Sequence, residues 1–171
     1  LREARKEKFP DPLVAALISE HFGASGITCH LRIDRRHIKE EDILKFKRSI
    51  KGELNIEMCI NKEMIDFAIK VKPQWVTIVP EREGELTTQV GMDVIRNFEN
   101  IKEAVKRLKS KKIKVSIFVE PDTKQIEKCA EIGVDAVELN TNTYAISKGK
   151  KREKEIERLK NAAKFAREKG L

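Results

Sequence analysis

The sequence lacks long hydrophobic runs. None of its apolar segments approaches the roughly 18 residues that a membrane span needs, and residues 1–6 contain no apolar signal core. Of 171 residues, 37% are charged and 40% are hydrophobic, which is typical of a soluble globular protein with a highly charged surface. We therefore expect a single domain over residues 1–171, located in the cytoplasm and without a membrane partner.

Cysteine is also scarce. Cys29, Cys59 and Cys129 are odd in number, lie far apart, and each stands among largely apolar neighbours. We expect small buried hydrophobic side chains rather than disulfide partners or metal ligands. The sequence therefore predicts no metal site, and it also contains no glycine-rich phosphate loop or nucleotide-binding fingerprint.

Positive charge exceeds negative charge. The chain has 36 Lys and Arg against 28 Asp and Glu, a net charge of +8, and such an excess raises the question of a nucleic-acid partner. One dense lysine run, residues 106–114, spans the end of a predicted helix, and the other, residues 148–160, is interleaved with glutamates. Runs of this kind are typical of solvated helix faces, so we predict no nucleic-acid binding.

Predicted helices and strands alternate along the chain. Apolar residues at helical spacing predict six helices, and short runs that are apolar on both faces predict five strands. The predicted strands are 27–31, 54–58, 75–79, 113–119 and 136–139. The predicted helices are one from the Pro10-Asp11-Pro12 turn to Gly23, and then 40–50, 62–71, 94–108, 123–132 and 150–169. This alternation predicts parallel β/α units.

An unusually long connection follows the third predicted strand. Residues 80–93 separate it from the next predicted helix, whereas a strand-to-helix connection typically has about 2–6 residues. Loops of this length in compact domains often close over a site. We therefore predict a lid here.

Polar residues stand at the carboxyl ends of several predicted strands. Since successive strand residues face opposite ways, the sequence predicts three same-face pairs: His30 with Arg32, Asn55 with Glu57, and Glu138 with Asn140. Such groups at one end of parallel strands describe part of a barrel mouth. Because eight strands need about 200–250 residues, we predict an α/β fold, a (β/α)8 TIM barrel represented here by five of its strands, with an open five-stranded sheet as the alternative.

The first predicted strand ends in a loop rich in cations, with two histidines and three arginines within eight residues. This composition predicts a site for anionic groups. Arg32 can bind a phosphate through two parallel hydrogen bonds, and His37 can add a donor. Arg35 and Arg36 either bind substrate as well or pair with acidic groups that hold the loop.

His30 and Glu57 stand on adjacent predicted strand ends. Histidine titrates near neutral pH, and a glutamate whose pKa is raised by burial can do the same, so the two side chains suit acid–base catalysis. The alternatives are a structural histidine in the core and a structural ion pair at Glu57.

Several motifs occur in order along the chain: FPDP at 9–12, GITCHLRIDRRHI at 26–38, LNIEM at 54–58, VTIVPE at 76–81, LTT at 86–88 with GMDV at 91–94, and VSIFVEPD at 115–122. Together they cover essentially the whole chain, and the HLRxDRRHI pattern is highly specific. The sequence resembles the pyridoxine 5′-phosphate synthase family.

The resemblance implies a (β/α)8 barrel enzyme of vitamin B6 biosynthesis. It would condense 1-deoxy-D-xylulose 5-phosphate with 3-amino-2-oxopropyl phosphate to give pyridoxine 5′-phosphate, phosphate and water, without a metal or organic cofactor. The resemblance also implies a homo-oligomer, an octamer built from dimers. Motif by motif, it implies catalytic roles for His30, Glu57 and Glu138, and substrate binding by Arg5, Arg32, His37 and Thr87.

The chain departs from the family pattern in two loops and in extent. Gln89-Val90 stand where the family usually has Glu-Gly, and Asn140-Thr141-Asn142 where it commonly has His-Thr-Gly. The resemblance implies that the chain carries about strands 2–6 and helices 1–6 of the barrel, either as part of a longer enzyme or as a shortened homologue without one proton donor. A non-catalytic phosphosugar-binding barrel and a basic nucleic-acid binder are the alternative functions.

Overall fold

The computed structural model describes residues 9–81 and 88–171, and strands and helices alternate there as predicted. The strands are β1 Gly26–His30, β2 Glu53–Met58, β3 Trp75–Ile78, β4 Lys114–Val119 and β5 Ala136–Leu139. The helices of the described residues are α1 Pro12–His21, α2 Glu40–Ser49, α3 Lys62–Val71, α4 Phe98–Lys109, α5 Thr123–Ile132, α6 Asn142–Ile146 and α7 Gly149–Glu168.

The strands form one sheet in which every neighbouring pair is parallel and the spatial order follows the chain. Parallel neighbours need a crossover connection, and α2, α3, α4 and α5 lie in these connections. Within the described residues the sheet does not close on itself. The fold is the predicted α/β architecture and is consistent with part of a TIM barrel.

One face of the sheet is apolar and belongs to the hydrophobic core. Alternate strand residues are fully or almost fully buried there: Leu54, Ile56, Val76, Ile78, Val115 and Ile117. They share one cluster with the inward-facing residues of the helices, among them Phe46, Ile101, Leu108 and Ile126. Burying each of these side chains stabilises the fold by about 1.5–3 kcal/mol. The core therefore lies on the helix side of the sheet.

Local capping explains where several helices begin and end. Asp11, Asn61 and Asp122 each accept a hydrogen bond of 2.8 Å from a backbone N–H in the first turn of α1, α3 and α5. Pro12 occupies the first turn of α1, where its missing N–H costs nothing. Helix α5 is capped at its C-terminus by Gly133, whose φ of 83° lies in the left-handed region that favours glycine.

The predicted boundaries agree with the structure to within two residues, apart from one late helix start, and one short helix was not predicted. The helix predicted from residue 94 begins only at Phe98, because the N–H groups of Val94 and Ile95 bind the side chain of Gln125 at 2.7 and 3.3 Å and remain in a turn. Helix α6 was not predicted, since five residues are too short to show a helical apolar period.

The three cysteines are free, and their burial confirms the expectation of small buried side chains. Burial raises the pKa of the Cys29 and Cys129 thiols to about 12 and that of Cys59 to about 11. Thiols with such pKa values are protonated and unreactive at neutral pH.

The longest described helix, α7, has 20 residues and a charged surface. Lys160 pairs with Glu157, as predicted for the solvated, charge-interleaved face of residues 148–160, and Lys164 also lies near Glu168. Among the described helices, none combines the length and the apolar character that crossing a membrane requires.

Candidate active site

The face of the sheet opposite the core carries polar side chains. His30 lies beside Glu57 in the register of β1 and β2, and Glu57 lies beside Thr77 of β3. Glu138 of β5 is aligned with Phe118 of β4. Because the strands are parallel, their carboxyl ends meet at one edge, and His30, Glu57 and Glu138 are brought to it.

A cavity of about 300 Å³ opens at this edge. Five of the predicted site residues line it: His30, Arg32, His37, Glu57 and Glu138. Its remaining lining residues are Ile38, Val79, Thr88 and Phe118. The predictions for Arg5 and Thr87 fall on positions outside the described residues. The cavity thus combines two imidazoles, a guanidinium and two carboxyl groups with an apolar wall.

His30 lies between two carboxyl groups. Its Nδ1 is 3.7 Å from Glu57 Oε2, and its Nε2 is 3.3 Å from Glu81 Oε1. Burial lowers the pKa of His30, and the nearby Glu81 carboxylate partly opposes this shift. The imidazole therefore favours its neutral form, which can accept a proton.

The pKa values of the two glutamates that line the cavity shift in the opposite direction, upwards. Burial raises the pKa of Glu57, and the charge of Glu138 raises it further. Burial also raises the pKa of Glu138. A lowered imidazole pKa beside raised carboxyl pKa values allows a proton acceptor and a proton donor to be present together.

The loop after β1 is held by its own arginines. Arg35 donates to the carboxylate of Glu40 at 2.8 Å and also to that of Glu63. Arg36 donates to Asp34 at 2.7 Å. The sequence left open whether Arg35 and Arg36 bind substrate or pair with acidic groups, and these contacts show that they pair with acidic groups. The pairing holds the loop from which Arg32 and His37 reach the cavity.

The two loops in which the chain departs from the family pattern meet in the structure. Asn140 Nδ2 donates to the Gln89 carbonyl at 2.8 Å and to Glu120 Oε1 at 2.7 Å. The same Glu120 oxygen accepts a hydrogen bond from Gly91 N at 3.0 Å. The ends of β4 and β5 therefore hold the described part of the long connection. Lid closure stays a prediction, since residues 82–87 lie outside the described residues.

Sequence reasoning missed several residues around the site. Glu81 belongs to the VTIVPE motif at 76–81. A glutamate that follows a proline at the start of a loop is usually solvated, however, and nothing in the sequence indicates that this one contacts His30. Thr88 lines the cavity and was not singled out, although it follows the predicted Thr87 directly. The apolar wall formed by Val79 and Phe118 resembles core sequence and could not be identified without the fold.

A second cavity, about 560 Å³ in volume, lies between α3 and α4. Its lining includes Asn61, Asn100 and Arg107 but no histidine. Within residues 9–81 and 88–171, no three or more His, Cys, Asp or Glu side chains form a group that could hold a metal ion. The second cavity has Glu81 and Glu103 in its lining, but His30, His37 and the two glutamates with raised pKa values line the smaller cavity.

Residues 1–171 match the family model described as pyridoxal phosphate biosynthesis protein PdxJ. The chain is 46% identical to a pyridoxine 5′-phosphate synthase of Chlorobium chlorochromatii, in a match that covers all of this chain and 73% of that protein. It is 45% identical to a protein of the same name from Chlorobium luteolum, with the same coverage. A third synthase, from a Sulfurihydrogenibium species, is 47% identical, with 72% of its length covered.

Proposed function

This chain belongs to the PdxJ family of vitamin B6 biosynthesis, and we propose that it acts as a pyridoxine 5′-phosphate synthase, a transferase-type enzyme that closes the ring. Its substrates would be 1-deoxy-D-xylulose 5-phosphate and 3-amino-2-oxopropyl phosphate. The observation that supports this proposal is the convergence of one set of side chains on a single cavity: His30, Arg32, His37, Glu57 and Glu138.

In this proposal, Arg32 and His37 bind a phosphate group of the substrates. Both proposed substrates carry a phosphate, and a guanidinium matches phosphate oxygens through two parallel hydrogen bonds. Arg32 is only 5% exposed, so its charge is shielded from water and its orientation is restricted. Arg5 and Thr87 remain proposed substrate-binding residues.

His30 and Glu57 provide for proton transfer. Joining an amine to a ketone, losing water and closing a ring by a carbon–carbon bond all move protons. Neutral His30 can accept a proton from the amine or from a carbon beside a carbonyl, and protonated Glu57 can deliver one to a departing hydroxyl. Glu138 assists because its charge raises the pKa of Glu57.

The test is product formation by the protein expressed from its complete gene. Both substrates are supplied, and pyridoxine 5′-phosphate is followed by its absorbance while released phosphate is measured in parallel. His30→Asn and Glu57→Gln should each lower kcat by about 10²–10⁴-fold, and Arg32→Lys should raise KM by about tenfold. The exposed residues Glu99 and Arg96 offer matched controls, Glu99→Gln and Arg96→Lys, which should leave kinetics unchanged.

Two other outcomes would contradict the proposal. Binding of 1-deoxy-D-xylulose 5-phosphate without product would favour a non-catalytic phosphosugar-binding barrel. Affinity for DNA or RNA that falls steeply as salt increases would favour a nucleic-acid binder.

A further inference from the structure

Glu81 lies just after β3, and both of its carboxylate oxygens contact β1 or the loop that follows it. Oε1 is 3.3 Å from His30 Nε2, and Oε2 accepts a hydrogen bond of 2.9 Å from Ile33 N. The side chain is only 6% exposed. Burying a carboxylate is costly unless it is paired, so these contacts define its position.

The contact with Nε2 determines which His30 nitrogen can accept a proton. A neutral imidazole has one N–H, and a carboxylate beside Nε2 favours the tautomer with that N–H on Nε2. Nδ1 then keeps its lone pair, at 3.7 Å from Glu57 Oε2 on the side of the cavity. Nδ1 is therefore the nitrogen left free to act as a base, and it lies beside Glu57, which lines the 300 Å³ cavity.

Charged groups approach His30 from each element that packs against it. Glu57 approaches from β2, Arg32 and Asp34 from the loop after β1, and Glu81 from the end of β3. Burial lowers the pKa of His30, and Glu81 is the strongest of the charges that oppose this shift. Removal of the Glu81 charge should therefore lower the pKa of His30 further.

We propose that Glu81 is a positioning residue that orients the His30 ring and holds its N–H on Nε2, so that Nδ1 faces the cavity as the proton acceptor. This inference rests on the function proposed above, because that function gives His30 its catalytic role. Glu81 lines the cavity between α3 and α4 and not the 300 Å³ cavity, so it would influence the proposed reaction through His30.

A purely structural role would predict different behaviour. The bond from Ile33 N could simply anchor the loop, as Glu40 does through Arg35. Glu40→Gln is therefore a matched control, because it replaces a carboxylate that holds the same loop without contacting His30. In Glu81→Gln, the amide oxygen can still accept from Ile33 N, but the charge is lost and the amide can also donate to the ring.

Nitrogen-15 NMR of the His30 side chain reports the tautomer and its titration without any turnover. We expect the Nε2–H tautomer in the native protein, loss of that preference and titration at lower pH in Glu81→Gln, and no change in Glu40→Gln. In the complete protein, Glu81→Gln should lower kcat by about 10–100-fold and leave KM within about twofold, as for a residue that orients a catalytic group. The acid limb of its pH profile should move to lower pH.

An Nε2–H tautomer that persists in Glu81→Gln, with an acid limb like that of Glu40→Gln, would overturn the proposal. Failure of the proposed function would look different, because the native protein would then form no pyridoxine 5′-phosphate, or His30→Asn would retain full turnover. Either result would remove the catalytic role of His30, and with it the use of Glu81, even if the tautomer still depended on Glu81.

Discussion

Replacing Gly91 by alanine should separate the long connection from the end of β4. A Cβ at this position would lie 2.3 Å from Glu120 N and 2.5 Å from the carbonyl carbon of Val119, whereas ordinary contact begins at 3.4 Å. These are backbone atoms at the end of a strand in the middle of the sheet, and they cannot turn aside as a side chain can. The loop must therefore withdraw by about 1 Å.

The withdrawal would break two hydrogen bonds. Met92 N donates to Phe118 O at 2.7 Å, and Gly91 N donates to the Glu120 carboxylate at 3.0 Å. A neutral bond contributes about 1 kcal/mol, and a bond to a charged group about 1.5–3 kcal/mol. We therefore expect Gly91→Ala to lower the free energy of unfolding by about 3 kcal/mol.

Urea unfolding measures this change, and hydrogen exchange at the Met92 amide locates it. If the loop opens locally, the protection factor of the Met92 amide should fall by roughly two orders of magnitude. Gly133→Ala is the matched control, because it has φ of 83° and open space around a Cβ. Gly133→Ala should lower the free energy of unfolding by about 1–2 kcal/mol through backbone strain and leave the Met92 amide protected from exchange. If Gly91→Ala lowered the free energy of unfolding by less than about 1 kcal/mol and left the Met92 amide protected, the predicted clash would be refuted.

Three further predictions follow from the pKa shifts and the loop contacts. Because burial raises the pKa of Glu57, the folded state binds that proton more tightly than the unfolded state, and stability falls as pH rises past the ordinary value of 4.5. Glu57→Gln should thus have a higher Tm than the native protein near neutral pH and a similar Tm below that value; equal Tm at neutral pH would contradict this. The buried Cys129 thiol, with a pKa of about 12, should resist alkylation until urea unfolds the chain, and rapid labelling without urea would show the assignment to be wrong. Asn140→Ala should speed hydrogen exchange at the Gly91 amide, whereas the exposed control Asn100→Ala should not; equal rates would exclude Asn140 as an anchor of the loop.

The strands and the shared face of His30 and Glu57 were predictable because they depend on local rules. Apolar runs define a buried parallel strand, and strand alternation determines which side chains share a face. The cavity position of Arg32 and His37 was predictable from the resemblance and from the short distance along the chain between them and β1.

Contacts between distant segments were not predictable. Asn140 binds the carbonyl of Gln89, which lies 51 positions away, and Glu81 lies 51 positions from His30. Neither contact has a local pattern, because both depend on how strand ends meet across the sheet. The late start of α4 has the same origin, since the Gln125 side chain that holds Val94 comes from α5.

The proposed function requires the phosphorylated substrate to bind in the 300 Å³ cavity at the strand ends. The most direct test is to map chemical shift changes when 1-deoxy-D-xylulose 5-phosphate is added to the protein. We predict the largest changes at Arg32 and His37, with changes also at Glu57 and Glu138. Changes confined to Asn61 and Arg107 in the cavity between α3 and α4, or no change at Arg32 at saturating ligand, would contradict the proposed site.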